Sequence, residues 1–252
     1  MRILLSTIMA LVMLTAPAWA EIVTETIEYE HDGTVLEGFL AYDDSIKGKR
    51  PGVVIVHQWK GLTEYEMMRS KMLAKLGYVA FAADIYGKGV RAANSEDAKK
   101  LATAFYKDRG LMKARVNAAY DELIKQKLTN TSKTAVMGYC FGGTVALDLA
   151  RSGAPVLGTV TFHGGLANPT PENAKNIKGK VLVLHGAADK VVPPEQVAAF
   201  QEEMGNASVD WYMVSYAYAR HAFTHQGPRY NEPAERRSWE EMEDFFKEIF
   251  SQ

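Results

Sequence analysis

The chain has 252 residues, 47% of them hydrophobic, with 29 basic against 30 acidic side chains and a formal charge of −1. That composition excludes a disordered or collagen-like chain, and so even a charge balance leaves no footprint for nucleic acid or an anionic membrane surface. A single cysteine excludes any intramolecular disulfide and leaves one thiol for its context to explain.

The first 20 residues read apart from the rest. Arg2 is followed by the uncharged apolar run 3–15, and Ala18-Trp19-Ala20 places small residues around a larger one. This is the pattern of a secretory signal peptide cleaved after Ala20. A membrane anchor fits less well, because a bilayer span wants roughly 20 apolar residues and Pro17 interrupts this run. The expectation is a signal over 1–20, then a single α/β domain over 21–252, periplasmic or secreted and free of the membrane after cleavage.

Ile22 to Glu30 and Val35 to Tyr42 read as antiparallel strands joined by Asp32-Gly33, a hairpin turn signal. Gly52 to His57 is a continuous apolar run, as expected of a strand buried on both faces. A helix follows over about 65–76, then a buried strand from Tyr78 to Ala83. Ser95 to Gln126 reads as two helices broken at Asp108-Arg109-Gly110, with Ser95 as the first N-cap. Strands are expected at 133–139, 156–162, 180–185 and 209–215, and helices at 142–152, 194–204 and 234–250. Strands alternating with helices predict an α/β-hydrolase-type fold class: a mainly parallel central sheet of about eight strands with helices on both faces.

The stretch most informative about chemistry is Gly138-Tyr-Cys-Phe-Gly142, between a predicted strand and a predicted helix. It has the form of a nucleophile elbow, with Cys140 where a serine is commoner. Such a turn is cramped, so glycines two residues either side fit where larger residues would collide. It also aims the sulfur at a helix N-terminus, whose positive potential favours a thiolate. Asp189 follows the strand ending at His185, in Gly-Ala-Ala-Asp-Lys-Val-Val-Pro. His221 follows the last predicted strand. The chain order nucleophile, acid, histidine is that of α/β-hydrolases and differs from the serine-protease orders. Oxyanion donors are expected at the backbone N–H of Phe141 and of Trp59. No histidine spacing suggests a metal site; His163 is expected on the pocket wall.

On Gly138-Tyr-Cys-Phe-Gly-Gly143, His185-Gly-Ala-Ala-Asp189, Arg220-His-Ala-Phe223 and Ala83-Asp-Ile-Tyr86 the chain resembles the dienelactone hydrolase (carboxymethylenebutenolidase) family over roughly residues 24–250. The resemblance implies an eight-stranded sheet, a Cys–His–Asp triad, an ester or lactone as small-molecule substrate, and no metal or organic cofactor. Two positions depart from the family pattern. Gln58 stands where members with the namesake activity carry a glutamate that pairs with the resting thiol, and a neutral amide takes up no proton at this pH. The arginines that hold a substrate carboxylate are also replaced, leaving Lys88, Arg91 or Arg220 as candidates and His225 at one of the vacated positions. Gln58, Tyr86, Lys88, Arg220 and Phe223 are therefore the expected substrate contacts. The competing reading is a non-catalytic ligand-binding protein on the same scaffold.

Overall fold

The computed structural model describes residues 21–251; the expected signal peptide lies outside them. Strands β1 (Ile22–His31) and β2 (Thr34–Asp43) form the hairpin, turning at Asp32 and Gly33, both at positive φ. Then come β3 (Arg50–Val56), α1 (Glu64–Lys75), β4 (Val79–Ala83), α2 (Ser95–Lys107), α3 (Arg109–Lys125) and β5 (Thr129–Tyr139). The remainder is α4 (Phe141–Arg151), β6 (Gly158–Phe162), β7 (Lys180–Gly186), α5 (Pro194–Asn206), β8 (Trp211–Tyr216) and α6 (Glu232–Phe250).

The eight strands form one sheet in the order β1-β2-β4-β3-β5-β6-β7-β8. The hairpin pairs antiparallel with β4, and from β4 to β8 every pairing is parallel. Successive side chains of a strand face opposite ways, so β3 serves two cores. Val53 and Ile55 pack with α1 and α6, whereas Val54 and Val56 pack under α2, α3 and α4. This is why the run 52–57 is apolar without alternation. A third cluster, with Leu147, Phe200 and Met204, seats α5 against β7.

The departures from the sequence reading are local. The N-cap of α2 is Asn94, whose side chain accepts from the Asp97 N–H at 3.0 Å; Ser95 is the first helical residue. Asp108 ends α2 and caps α3 by accepting from the Leu111 N–H, so one short acidic residue turns the chain between two helices. Strand β5 starts four residues early, at Thr129, because it pairs with Arg50 and Pro51 before a register shift carries Gly52 opposite Thr134. The polar segment 168–178 contains a short 3-10 helix, Pro171–Asn176.

Candidate active site

Cys140 stands between the central strand β5 and helix α4, with φ +55° and ψ −114°. A non-glycine residue pays for positive φ in strain, which persists only where surrounding structure enforces it. Here the enforcement is visible. A Cβ on Gly138 would lie 2.0 Å from the Gly142 carbonyl oxygen, and one on Gly142 would lie 2.2 Å from that of Val56. The Cys140 N–H donates to the Phe162 carbonyl at 3.0 Å, tying the bend to β6. The elbow thus closes as the Gly-x-Cys-x-Gly pattern predicts, on steric grounds.

Asp189 and His221 arrive from the ends of β7 and β8. Their loops are laced together by the N–H of Ala187 donating to the Tyr216 carbonyl and that of Ala188 to the Ala219 carbonyl, each at 2.9 Å. One Asp189 oxygen, Oδ1, accepts from the N–H groups of Val191 (2.8 Å) and Val192 (3.2 Å). The other, Oδ2, lies 2.9 Å from His221 Nδ1, and His221 Nε2 lies 3.0 Å from Cys140 Sγ. Residues 140, 189 and 221 are thereby in one hydrogen-bonded line.

Burial pulls the His221 imidazolium down, but Asp189 and the Cys140 sulfur outweigh it and push its pKa up to about 10. Burial pushes the Asp189 carboxyl up; the His221 contact and the two valine N–H groups overcome this and leave it below the usual carboxylate value. Each shift favours the charged form of its group.

Two further parts are the expected oxyanion donors. The Phe141 N–H is the first of α4, and neither it nor the Trp59 N–H donates to any protein acceptor among the described residues. The Trp59 loop is held from behind by two groups. His57 accepts the Ile85 N–H at Nε2 (3.2 Å), so its proton sits on Nδ1 and is donated to the Gln58 carbonyl at 2.6 Å. Burial lowers the His57 pKa to about 4, keeping the ring neutral. Glu66 is fully buried and accepts from the Gln58 N–H, the Thr63 N–H and the Thr63 hydroxyl. Its role was legible as the capping box Thr63-x-x-Glu66, a signal the sequence reading passed over.

A cavity of about 450 Å³ opens against the Trp59 loop, lined among others by Gln58, Trp59, Lys60, Ala222, His225 and Arg229; Cys140, Asp189 and His221 are not among its lining residues, although Ala222 follows His221 directly. Of the expected contacts, Gln58 lines it. Tyr86 stands behind, its hydroxyl donating to the Trp59 carbonyl at 3.1 Å and its ring packed on His57 and Phe141. Lys88, Arg220 and Phe223 are not among the lining residues. Lys88 pairs with Glu28 on the hairpin, Arg220 donates to the Pro228 carbonyl, and Phe223 is fully buried against Tyr216 and His163. Arg91 is likewise turned away, toward Asp84. The basic groups at the cavity are instead Lys60, Arg229 and His225, and among the described residues none of them pairs with a carboxylate. Lys60 and Arg229 lie on loops 169 residues apart in number, so no local pattern couples them.

Residues 36–250 match the model of the dienelactone hydrolase family. The chain belongs to that family. A protein named provisionally as a carboxymethylenebutenolidase in Aquifex aeolicus is 30% identical over 230 residues, covering 88% of this chain and 97% of the relative. The protein usf of Aquifex pyrophilus is 29% identical over 234 residues, covering 90% and 99%. Among solved structures, a dienelactone hydrolase-like promiscuous phosphotriesterase from metagenomic libraries superposes with a TM-score of 0.87 at 36% identity, covering 92% of this chain and 99% of that one. As a member of the dienelactone hydrolase family the chain is an ester or lactone hydrolase acting on a small molecule, which decides between the enzyme and the binding protein.

Proposed function

We propose that this dienelactone hydrolase family member cleaves a small ester or lactone through a covalent thioester on Cys140. The observation that carries the reading is the line Sγ–Nε2, Nδ1–Oδ2 at 3.0 and 2.9 Å, within hydrogen-bond reach at both joints. His221 holds the proton and the sulfur attacks the acyl carbon. The negative oxygen that develops is met by the Phe141 and Trp59 N–H groups, both free to donate. His221 then protonates the departing alkoxide, and the C–O bond breaks to leave the thioester. In the second half His221 takes a proton from water, hydroxide adds to the same carbon, and the carboxylic acid leaves as the sulfur regains its starting state.

Gln58 changes the resting state, because no carboxylate stands at that position to pair with the thiol. His221 is the base throughout. The cavity favours a compact substrate carrying negative charge, since Lys60 and Arg229 offer it cations without a competing acid. The likeness to a promiscuous phosphotriesterase favours a second, side reading, attack of the same sulfur on phosphorus.

The deciding experiment is Cys140→Ala assayed on a panel of aryl esters, neutral and acidic lactones, and one neutral phosphotriester. Turnover should vanish across the panel with the circular dichroism unchanged; undiminished turnover removes the thioester mechanism. Export is a separate proposal: protein recovered from the periplasm or medium should begin at Glu21, which N-terminal sequencing checks.

A further inference from the structure

Behind His221 lies a buried polar chain that the reaction above does not use. His163 directly follows β6, with φ +43°, and is fully enclosed. Its Nε2 is 2.8 Å from Thr224 Oγ1, and its ring lies edge-on to His221 with centroids 5.3 Å apart. The Tyr65 hydroxyl, on α1, donates to the same Thr224 oxygen at 2.8 Å. Arg69 donates through Nη2 to Tyr65 at 3.1 Å and to Glu235, on α6, at 2.8 Å.

Proton counting orders this chain. Arg69 can only donate. The Tyr65 oxygen therefore accepts from Arg69 and spends its one proton on Thr224. Thr224 in turn has one proton and one remaining neighbour, His163 Nε2. The direction is Arg69, Tyr65, Thr224, His163, ending on a neutral imidazole. Burial first, then the nearby charge of His221, hold the His163 pKa well below the ordinary histidine value. The groups facing His163 are His221, Tyr139, Arg69 and His225, of which none is acidic.

Thr224 is the only member of the chain on the loop that bears His221, three residues on. Between them Ala222 is at φ +63°, so the loop sits in a conformation that needs external restraint. We propose that Thr224 is a positioning residue: by joining His163 to Tyr65 it clamps the 221–225 loop and fixes the His221 ring between Cys140 and Asp189. The proposal rests on the reading of those three residues as the reacting groups. Its physical basis is that a reacting group displaced by about 1 Å loses about a hundredfold in rate.

The test compares Thr224→Val, which keeps the volume and loses the hydroxyl, with Thr224→Ser, which keeps the hydroxyl. Thr224→Val should lower kcat roughly tenfold to a hundredfold with KM moved much less. It should also bring the His221 titration, followed by 15N NMR, down from about 10 toward the ordinary histidine range. Thr224→Ser should restore both. A merely structural role would lower the melting temperature and leave that titration in place. Wild-type kcat and titration in a folded Thr224→Val overturn the proposal. If that variant does not fold, Tyr65→Phe removes the donated proton and carries the same test in the same direction. The parent reading fails separately: loss of turnover in Cys140→Ala with normal Thr224→Val sinks the clamp alone, whereas full turnover in Cys140→Ala sinks the triad first.

Discussion

At the residue scale, the asymmetry of Asp189 matters most. Its Oδ1 is faced by two backbone donors and its Oδ2 by His221. In Asp189→Asn the amide oxygen must take the Oδ1 position, because the valine N–H groups need an acceptor. The NH2 then faces His221 Nδ1 and forces the ring proton onto Nε2, toward the sulfur. We predict a fall in kcat of about 10²–10⁴ with little change in KM, and a histidine tautomer reversed in 15N NMR. Cys140, Asp189 and His221, proposed above as the reacting side chains, were each singled out in the sequence, because elbow sterics and loop order leave local marks. The cations at the cavity were not. Lys88 and Arg220 have the expected chemistry, but one is held by Glu28 and the other by Pro228, neither visible from spacing.

At the element scale, the elbow works only because β3, β5 and α4 approach to backbone contact. A Cβ at position 142 meets the carbonyl oxygens of both Val56 (2.2 Å) and His57 (2.6 Å), and these are backbone atoms locked in the β3 end that cannot swing aside. Gly142→Ala should therefore destabilise the protein by roughly 3 kcal/mol, read as a lower midpoint in urea at unchanged m-value. The same variant should disturb the His57–Gln58 turn and so cost activity in whatever folded fraction remains. Strand and helix placement was recovered from apolar runs and caps; the N-cap of α2 was misplaced by one residue because Asn94 and Ser95 are both capping types. The early start of β5 and the extra 3-10 helix come from pairing and packing partners that no local window contains.

At the scale of the whole molecule, the enclosed histidines link stability to pH. Burial holds His57 (to about 4), His163 and His185 below the unfolded value. The unfolded chain therefore binds more protons as pH falls below about 6.5, and stability drops over that window. His57 alone contributes roughly 3 kcal/mol between pH 6.5 and 4. His221 has the opposite sign: its raised pKa contributes stability that is complete below about 6.5 and is lost as pH rises toward 10. Glu66, pushed up by burial, opposes the histidines in the acid range. His57→Gln should flatten the acid limb of a melting temperature–pH curve without touching the alkaline limb. An unchanged acid limb would show that His57 is not held neutral.

The alternation of strands and helices, the glycine-flanked cysteine bend, and the order in which sulfur, carboxylate and imidazole come along the chain are all readable before folding. Each is a local property: periodicity, a steric requirement within five residues, or position after a strand. Folding alone reveals which basic groups reach the cavity, that Glu66 and His57 brace the Trp59 loop, and that His163, Thr224 and Tyr65 back the imidazole. Those contacts join segments up to 159 residues apart, and a hydrogen bond between remote hydroxyls leaves no periodic trace in the chain that makes it.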